Sequence, residues 1–213
     1  ARCARRGRPL TARHRYVVAA VAAACLTISS PVRSQEWPRE APPGPLAARH
    51  EITANTDWLI KAKAITEKVI ENFADPETGF FFYTRSDQDD VIVRKKEVYD
   101  GAVPSGNAVM AGVLYQFSVF FDKKEWKERS LDIFSSLGQA IVRYPTSFAC
   151  WNCLLLEMTT GTIEVAITGK DFSLTHTELL MQFVPQKILM ASSVDNDQFA
   201  LLAGKSINAT PLI

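Results

Sequence analysis

From residue 51 onward, apolar positions recur at three- and four-residue steps broken by proline and glycine. Trp58, Ala62, Ile65, Val69 and Phe73 form one such stripe, which predicts a buried helix face ending at Asp75-Pro76 and Gly79. Gly79–Thr84 and Val91–Val93 are short β-like runs around a polar turn and predict a hairpin or extended loop. Pro104 and Ser105 open a second helix with the stripe Val109, Met110, Val113, Leu114, Phe117, Phe120 and Phe121. Asp122, with Glu125 three residues later, predicts a capping box for a third helix. Its inner face is Trp126, Ile133, Phe134, Leu137, Ile141 and Tyr144, and Pro145 closes it. A fourth helix is expected from Phe148 to Met158. Short connections between such helices predict antiparallel hairpins.

After Gly161 the period changes from helical to alternating. Thr162–Thr168 and Lys187–Ala191 are strand candidates, with a short helix between them capped by Thr175 and Glu178. The expected class is therefore mainly α, with a small α/β C-terminal attachment, divided as 1–50, 51–160 and 161–213.

Charge separates the first of these segments from the rest. Residues 1–50 carry nine arginines, no lysine and two acids, a net +7, whereas residues 51–213 carry 15 bases and 21 acids, a net −6. Eleven of those 15 bases are lysine, so arginine-only usage stops near residue 50. An arginine-rich start, an apolar run from Tyr16 to Ile28 and small residues after it have the order of a secretory signal. That run is too short to span a bilayer core of about 30 Å, so no membrane span is expected. The alternative is an unrelated disordered segment, since the chain begins with Ala1; Pro38, Pro42, Pro43 and Pro45 form a linker under either reading. Export follows from the first reading and a cytoplasmic location from the second. The acidic body does not favour nucleic acid as a partner.

Few motifs carry chemistry. Cys150-Trp-Asn-Cys153 has redox spacing but lies in an apolar run without a preceding βαβ pattern, which predicts two reduced, packed cysteines. One C-x-x-C without paired histidines is a poor zinc site, and neither a metal nor a cofactor is expected. His176 reads as a surface or capping residue. Gly204-Lys205-Ser206 ends like a phosphate loop, but Phe199 occupies the required earlier glycine position. Asn208-Ala-Thr210 is a formal glycosylation sequon.

Lys95–Asn107 is the most informative stretch. It places Glu97, Tyr99, Asp100, Ser105 and Asn107 among two glycines and a proline, immediately before a very apolar helix. This composition suits a pocket rim, with Asp100 and Glu97 as catalytic carboxylates, Ser105 and Asn107 orienting a ligand, and Tyr99 stacking on it. It equally suits a tight connection in which Asp100 caps loop amides and Asn107 bonds within the first helical turn.

Glu97–Ala111, the later Arg143–Phe148, Leu201–Lys205 and Thr210–Ile213 together resemble the C-terminal region of thioredoxin-domain-containing proteins of the spermatogenesis-associated type. The resemblance covers residues 51–213. It implies a partial (α/α) toroid related to N-acylglucosamine 2-epimerases and six-hairpin glycosidases, whose thioredoxin-like domain and upstream hairpins are missing from this chain. It also implies either a carbohydrate ligand, with the chain forming part of a cavity wall, or a non-catalytic platform for the thioredoxin-like domain or protein partners. The histidines of the sugar epimerases have no match here. An incomplete toroid is expected to expose an apolar face, with Phe117, Phe120 and Phe121 as its candidates.

Overall fold

A computed structural model describes residues 43–88, 91–194 and 196–205. The signal-like run and Asn208 lie outside them. The protein is mainly helical, with six α-helices and a two-stranded sheet among the described residues: α1 (Pro43–Thr53), α2 (Asp57–Phe73), α3 (Gly106–Phe120), α4 (Lys124–Arg143), α5 (Ala149–Thr160), β1 (Ile163–Thr168), α6 (Phe172–Leu180) and β2 (Lys187–Ser192). A 3-10 turn, Pro145–Phe148, leads directly into α5. No helix among the described residues is long and apolar enough to cross a membrane.

Helix α1 straddles the expected boundary at residue 50. Its prolines preset φ in the first turn instead of extending a linker, and Leu46 and His50, four residues apart, both turn into the interior. Helix α2 buries Leu59, Ala62, Ile65 and Thr66, while Trp58, Val69 and Phe73 pack at the margin of the core. The stripe is thus rotated slightly from its predicted centre.

Helix α3 is the central element. Its predicted stripe is buried on more than one side, with Phe117 fully enclosed and Phe120 5% exposed. Phe121 packs edge-on to Trp126 and lies 5.5 Å from the Phe199 ring. Phe117 and Phe120 are therefore interior and Phe121 is partly buried against them, so the three do not form an open docking face: α1, α4 and the 199–202 turn supply cover. Truncating Phe117 to alanine in such packing costs about 3–5 kcal/mol.

The turn from α3 to α4 departs from the predicted capping box. Asp122 has φ +49°, and Lys123 donates its N–H to Ser118 O at 3.1 Å. That is the closing bond of a Schellman C-cap with Asp122 in the left-handed position. Asp122 therefore ends α3; the N-cap of α4 is Lys123, with no side-chain cap bond. Helices α3 and α4 then pack together and are fastened by Ser130 Oγ donating to Ala111 O at 2.7 Å. The face of α4 is as predicted at Trp126, Ile133 and Ile141, whereas Tyr144 is half exposed.

Between α2 and α3 the described residues follow the extended-loop alternative, with one antiparallel bridge among them, Ala74 to Phe81. Arg129 donates to Gly79 O at 2.8 and 3.2 Å, and the positive φ of Gly79 (+76°) lets the chain turn there.

The α/β attachment is a parallel β1–α6–β2 unit in which Ile163 pairs with Lys187 and Thr168 with Ser192. Four consecutive buried residues on each strand show that both sheet faces are covered. Ala166, Ile188 and Met190 join the helical core, while Val165, Ile167, Leu189 and Ala191 meet Phe172, Leu179 and Leu180 around α6. Helix α6 starts at Phe172, so Thr175 is inside it and the predicted Thr175–Glu178 capping box does not form. His176 is buried, not superficial: its Nε2 donates to Glu51 O of α1 at 2.8 Å.

Candidate functional site

The 95–107 loop is held at both ends by helix starts. Ser105 is the N-cap of α3, its Oγ accepting from Ala108 N–H at 3.1 Å. The Asp100 carboxylate takes the two adjoining donors: Oδ1 accepts from Ser105 N–H and Oδ2 from Cys150 N–H, both at 2.8 Å. Asp100 N–H in turn donates to Ser147 O at 2.8 Å. One side chain thus ties the first turn of α3 to the first turn of α5, where a negative charge also complements the positive ends of both helices.

Asn107 is 3% exposed, and its amide acts as a short strand partner. Oδ1 accepts from Phe81 N–H at 2.7 Å, while Nδ2 donates to Phe81 O at 3.0 Å and to Glu97 O at 2.8 Å. The loop is completed by Trp151 Nε1, which donates to Val98 O at 2.8 Å. Glu97 Oε1 accepts from Tyr99 N–H at 3.2 Å, a local turn two residues long. Of the five candidate residues only Tyr99 is exposed, at 56%, with its ring tilted against Phe148 at 5.1 Å between centroids.

The structure therefore brings Glu97, Tyr99, Asp100, Ser105 and Asn107 into one loop, but directs the polar atoms of Asp100, Ser105 and Asn107 onto backbone groups of the same chain. The partners that complete it, Phe81, Cys150 and Trp151, lie 26 to 53 residues away in sequence. Only Cys150 and Trp151, just inside a predicted helix start after a proline, carried a sequence signal, and it pointed to a helix terminus without a partner.

A separate cavity of about 140 Å³ lies between α1, α3 and β2. Its walls include Ala47, Glu51, Gln116, Phe120 and Lys187, and Glu51 pairs with Lys187 at 2.5 Å. None of the five predicted site residues lines it. Among the described residues, no group of three His, Cys, Asp or Glu side chains is arranged to hold a metal ion.

Perturbed titratable groups mark active sites when they converge in a cleft. Here their causes are structural. Asp75 is held well below the usual carboxylate range by Lys96 Nζ at 2.5 Å, then by Thr78 Oγ1 and the Glu77 amide. Burial pushes Glu157 up, only partly offset by the nearby polar side chains of Gln116 and Thr162. Burial likewise pushes His50 down, partly offset by its hydrogen bond to Asn55 O and by Glu51.

No family model matches the chain. It is 25% identical over 156 residues to spermatogenesis-associated protein 20 of Mus musculus, covering 70% of this chain and 20% of that protein. The proteins of the same name from Homo sapiens and Rattus norvegicus are 23% and 24% identical, over 70% and 67% of this chain. The chain spans about one fifth of the length of the curated relatives it matches. It is a mainly helical chain with weak homology to spermatogenesis-associated protein 20.

Proposed function

We propose that this chain is a non-catalytic scaffold segment of a spermatogenesis-associated-protein-20-like protein. In this reading its helical hairpins form part of an (α/α) toroid, and the rest of the toroid and a thioredoxin-like domain belong to the longer protein. The observation that carries it is the commitment of Asp100, Ser105 and Asn107 to backbone partners. A carboxylate that accepts one amide hydrogen bond on each oxygen inside the fold organises two helix starts, which is a structural task.

A carbohydrate reading keeps one supporting feature. Tyr99 is an exposed aromatic residue in the same loop as Glu97, and an exposed ring can stack on a sugar face. Glycosidase chemistry would add a requirement for two carboxyl groups about 5–5.5 Å apart for retention or about 6.5–9.5 Å for inversion. A glycan-array screen of the longer protein separates the two. The scaffold reading expects no saturable binding, whereas saturable sugar binding abolished by Tyr99→Ala or Asp100→Asn would replace it with the carbohydrate reading.

A further inference from the structure

The cysteine pair does not have the environment its apolar sequence neighbours predict. Cys150 is half-buried at the second residue of α5, but Cys153, one turn later, is exposed. Neither is disulfide-bonded. The reason is helical phase: Trp151 and Leu154 carry the buried face of α5, which leaves Cys153 on the outer side. Two thiols three residues apart on a helix are neighbours, with Cα atoms about 5 Å apart, inside the roughly 4.4–6.8 Å that a disulfide accepts.

We infer that Cys150 and Cys153 form a reversible thiol–disulfide exchange site, with Cys153 as the attacking thiol and Cys150 as the resolving one. The co-reactant is a small-molecule disulfide of the glutathione class. The Cys153 thiolate attacks one sulfur of that disulfide, its S–S bond breaks, and one glutathione thiol leaves, giving a mixed disulfide on Cys153. The Cys150 thiolate then attacks the Cys153 sulfur and expels the second glutathione thiol. Two protein thiols are oxidised, two electrons reduce the glutathione disulfide, and the two protons leave on the two thiols.

Helix geometry also sets the reversibility. Cβ atoms at this spacing lie about 5–6 Å apart in an α-helix, against about 3.5–4.5 Å in a disulfide. The first turn of α5 must tighten toward 3-10 geometry, in which such side chains eclipse. The residues just before it, Pro145–Phe148, already form a 3-10 turn, clamped by Asn152 Nδ2 donating to Pro145 O at 3.0 Å and Phe148 O at 2.9 Å. Tightening works against the Cys150 N–H bond to Asp100, so the disulfide is strained and easily reduced.

The test uses the full chain with Cys3 and Cys25 replaced by serine, exposed to oxidised glutathione, quenched with iodoacetamide and mapped by mass spectrometry. The expected product is a peptide carrying both cysteines, lighter by two hydrogens, that dithiothreitol restores. The Cys150→Ser variant should instead accumulate a lasting glutathione adduct on Cys153. In the native chain without oxidant, brief alkylation should label Cys153 about tenfold faster than Cys150. A wild-type chain that stops at the glutathione adduct, fails to react, or alkylates equally at both cysteines overturns the proposal. These readouts on the unsubstituted pair do not depend on whether the serine variants fold.

Discussion

Asn107 pairs its side-chain amide with both backbone polar groups of Phe81, accepting from the N–H at 2.7 Å and donating to the carbonyl at 3.0 Å. The first turn of α3 thereby fixes a loop residue 26 positions earlier. Asn107→Ala leaves the Phe81 N–H, the Phe81 carbonyl and the Glu97 carbonyl without this partner. Unsatisfied buried groups cost about 1–3 kcal/mol each, partly relieved by water, so a loss of about 2–4 kcal/mol is expected. Urea denaturation should show a lower midpoint with an unchanged slope; a midpoint equal to wild type removes Asn107 from the framework.

The left-handed conformation of Asp122 gives a prediction of opposite sign. Asp122→Gly relieves the penalty of a side chain at φ +49° and should stabilise the protein by about 0.5–1 kcal/mol. If Asp122 instead capped α4, as its spacing to Glu125 suggested, the same change would leave stability level or lower it. A thermal melt of the variant distinguishes the two by the direction of the shift.

Acid should loosen the junction between α1 and the α/β unit. His50 is buried there, with its ring edge-on to Phe120, and its folded pKa lies below the ordinary value of 6.5. The unfolded chain then binds the proton first, so this contribution is complete above about pH 6.5 and is lost as pH falls from there toward the folded pKa. Glu157 acts in the opposite sense at lower pH, because its raised folded pKa favours the protonated native state. Comparing wild type with His50→Gln isolates the histidine. Wild-type midpoints should fall between pH 7 and pH 5.5 more steeply than those of His50→Gln, and parallel curves would show that His50 does not control the junction.

Asp75 should support stability only while ionised. Its carboxylate gathers Lys96, Thr78 and the Glu77 amide, and its folded pKa is lowered, so the contribution is present above about pH 3.8 and fades below it. Asp75→Asn should be less stable than wild type at pH 7, with the gap starting to narrow near pH 3.8 and closing only well below about pH 3. A gap that stays constant across that range would mean that the charge plays no part.

What the residues disclosed, and what they did not, follows the range of each interaction. The faces of α3 and α4 and the two strands were legible because periodicity is local and burial enforces it at Phe117, Ile133 and Ile167. Ser105 was legible as a helix start for the same reason. Asp122 was misread because an acid followed by Glu125 matches an N-cap pattern, while the left-handed C-cap that captures it depends on how α3 ends. Helix α1 was hidden because its prolines matched a linker composition, and the partners that bury Leu46 and His50 lie far along the chain. The loop from Glu97 to Asn107 stands out in the sequence as dense in directional polar groups. Its two readings stayed level because the groups that receive Asp100 and Asn107, at Cys150 and Phe81, are distant in sequence.

The most direct test of the scaffold account is equilibrium urea denaturation of Asp100→Asn. The substitution replaces one carboxylate oxygen with an amide donor, so either the Ser105 or the Cys150 N–H loses its acceptor and the charge at two helix starts disappears. The account predicts a loss of about 1–3 kcal/mol with an unchanged slope. A midpoint indistinguishable from wild type would contradict it and return Asp100 to the role of a ligand-facing carboxylate.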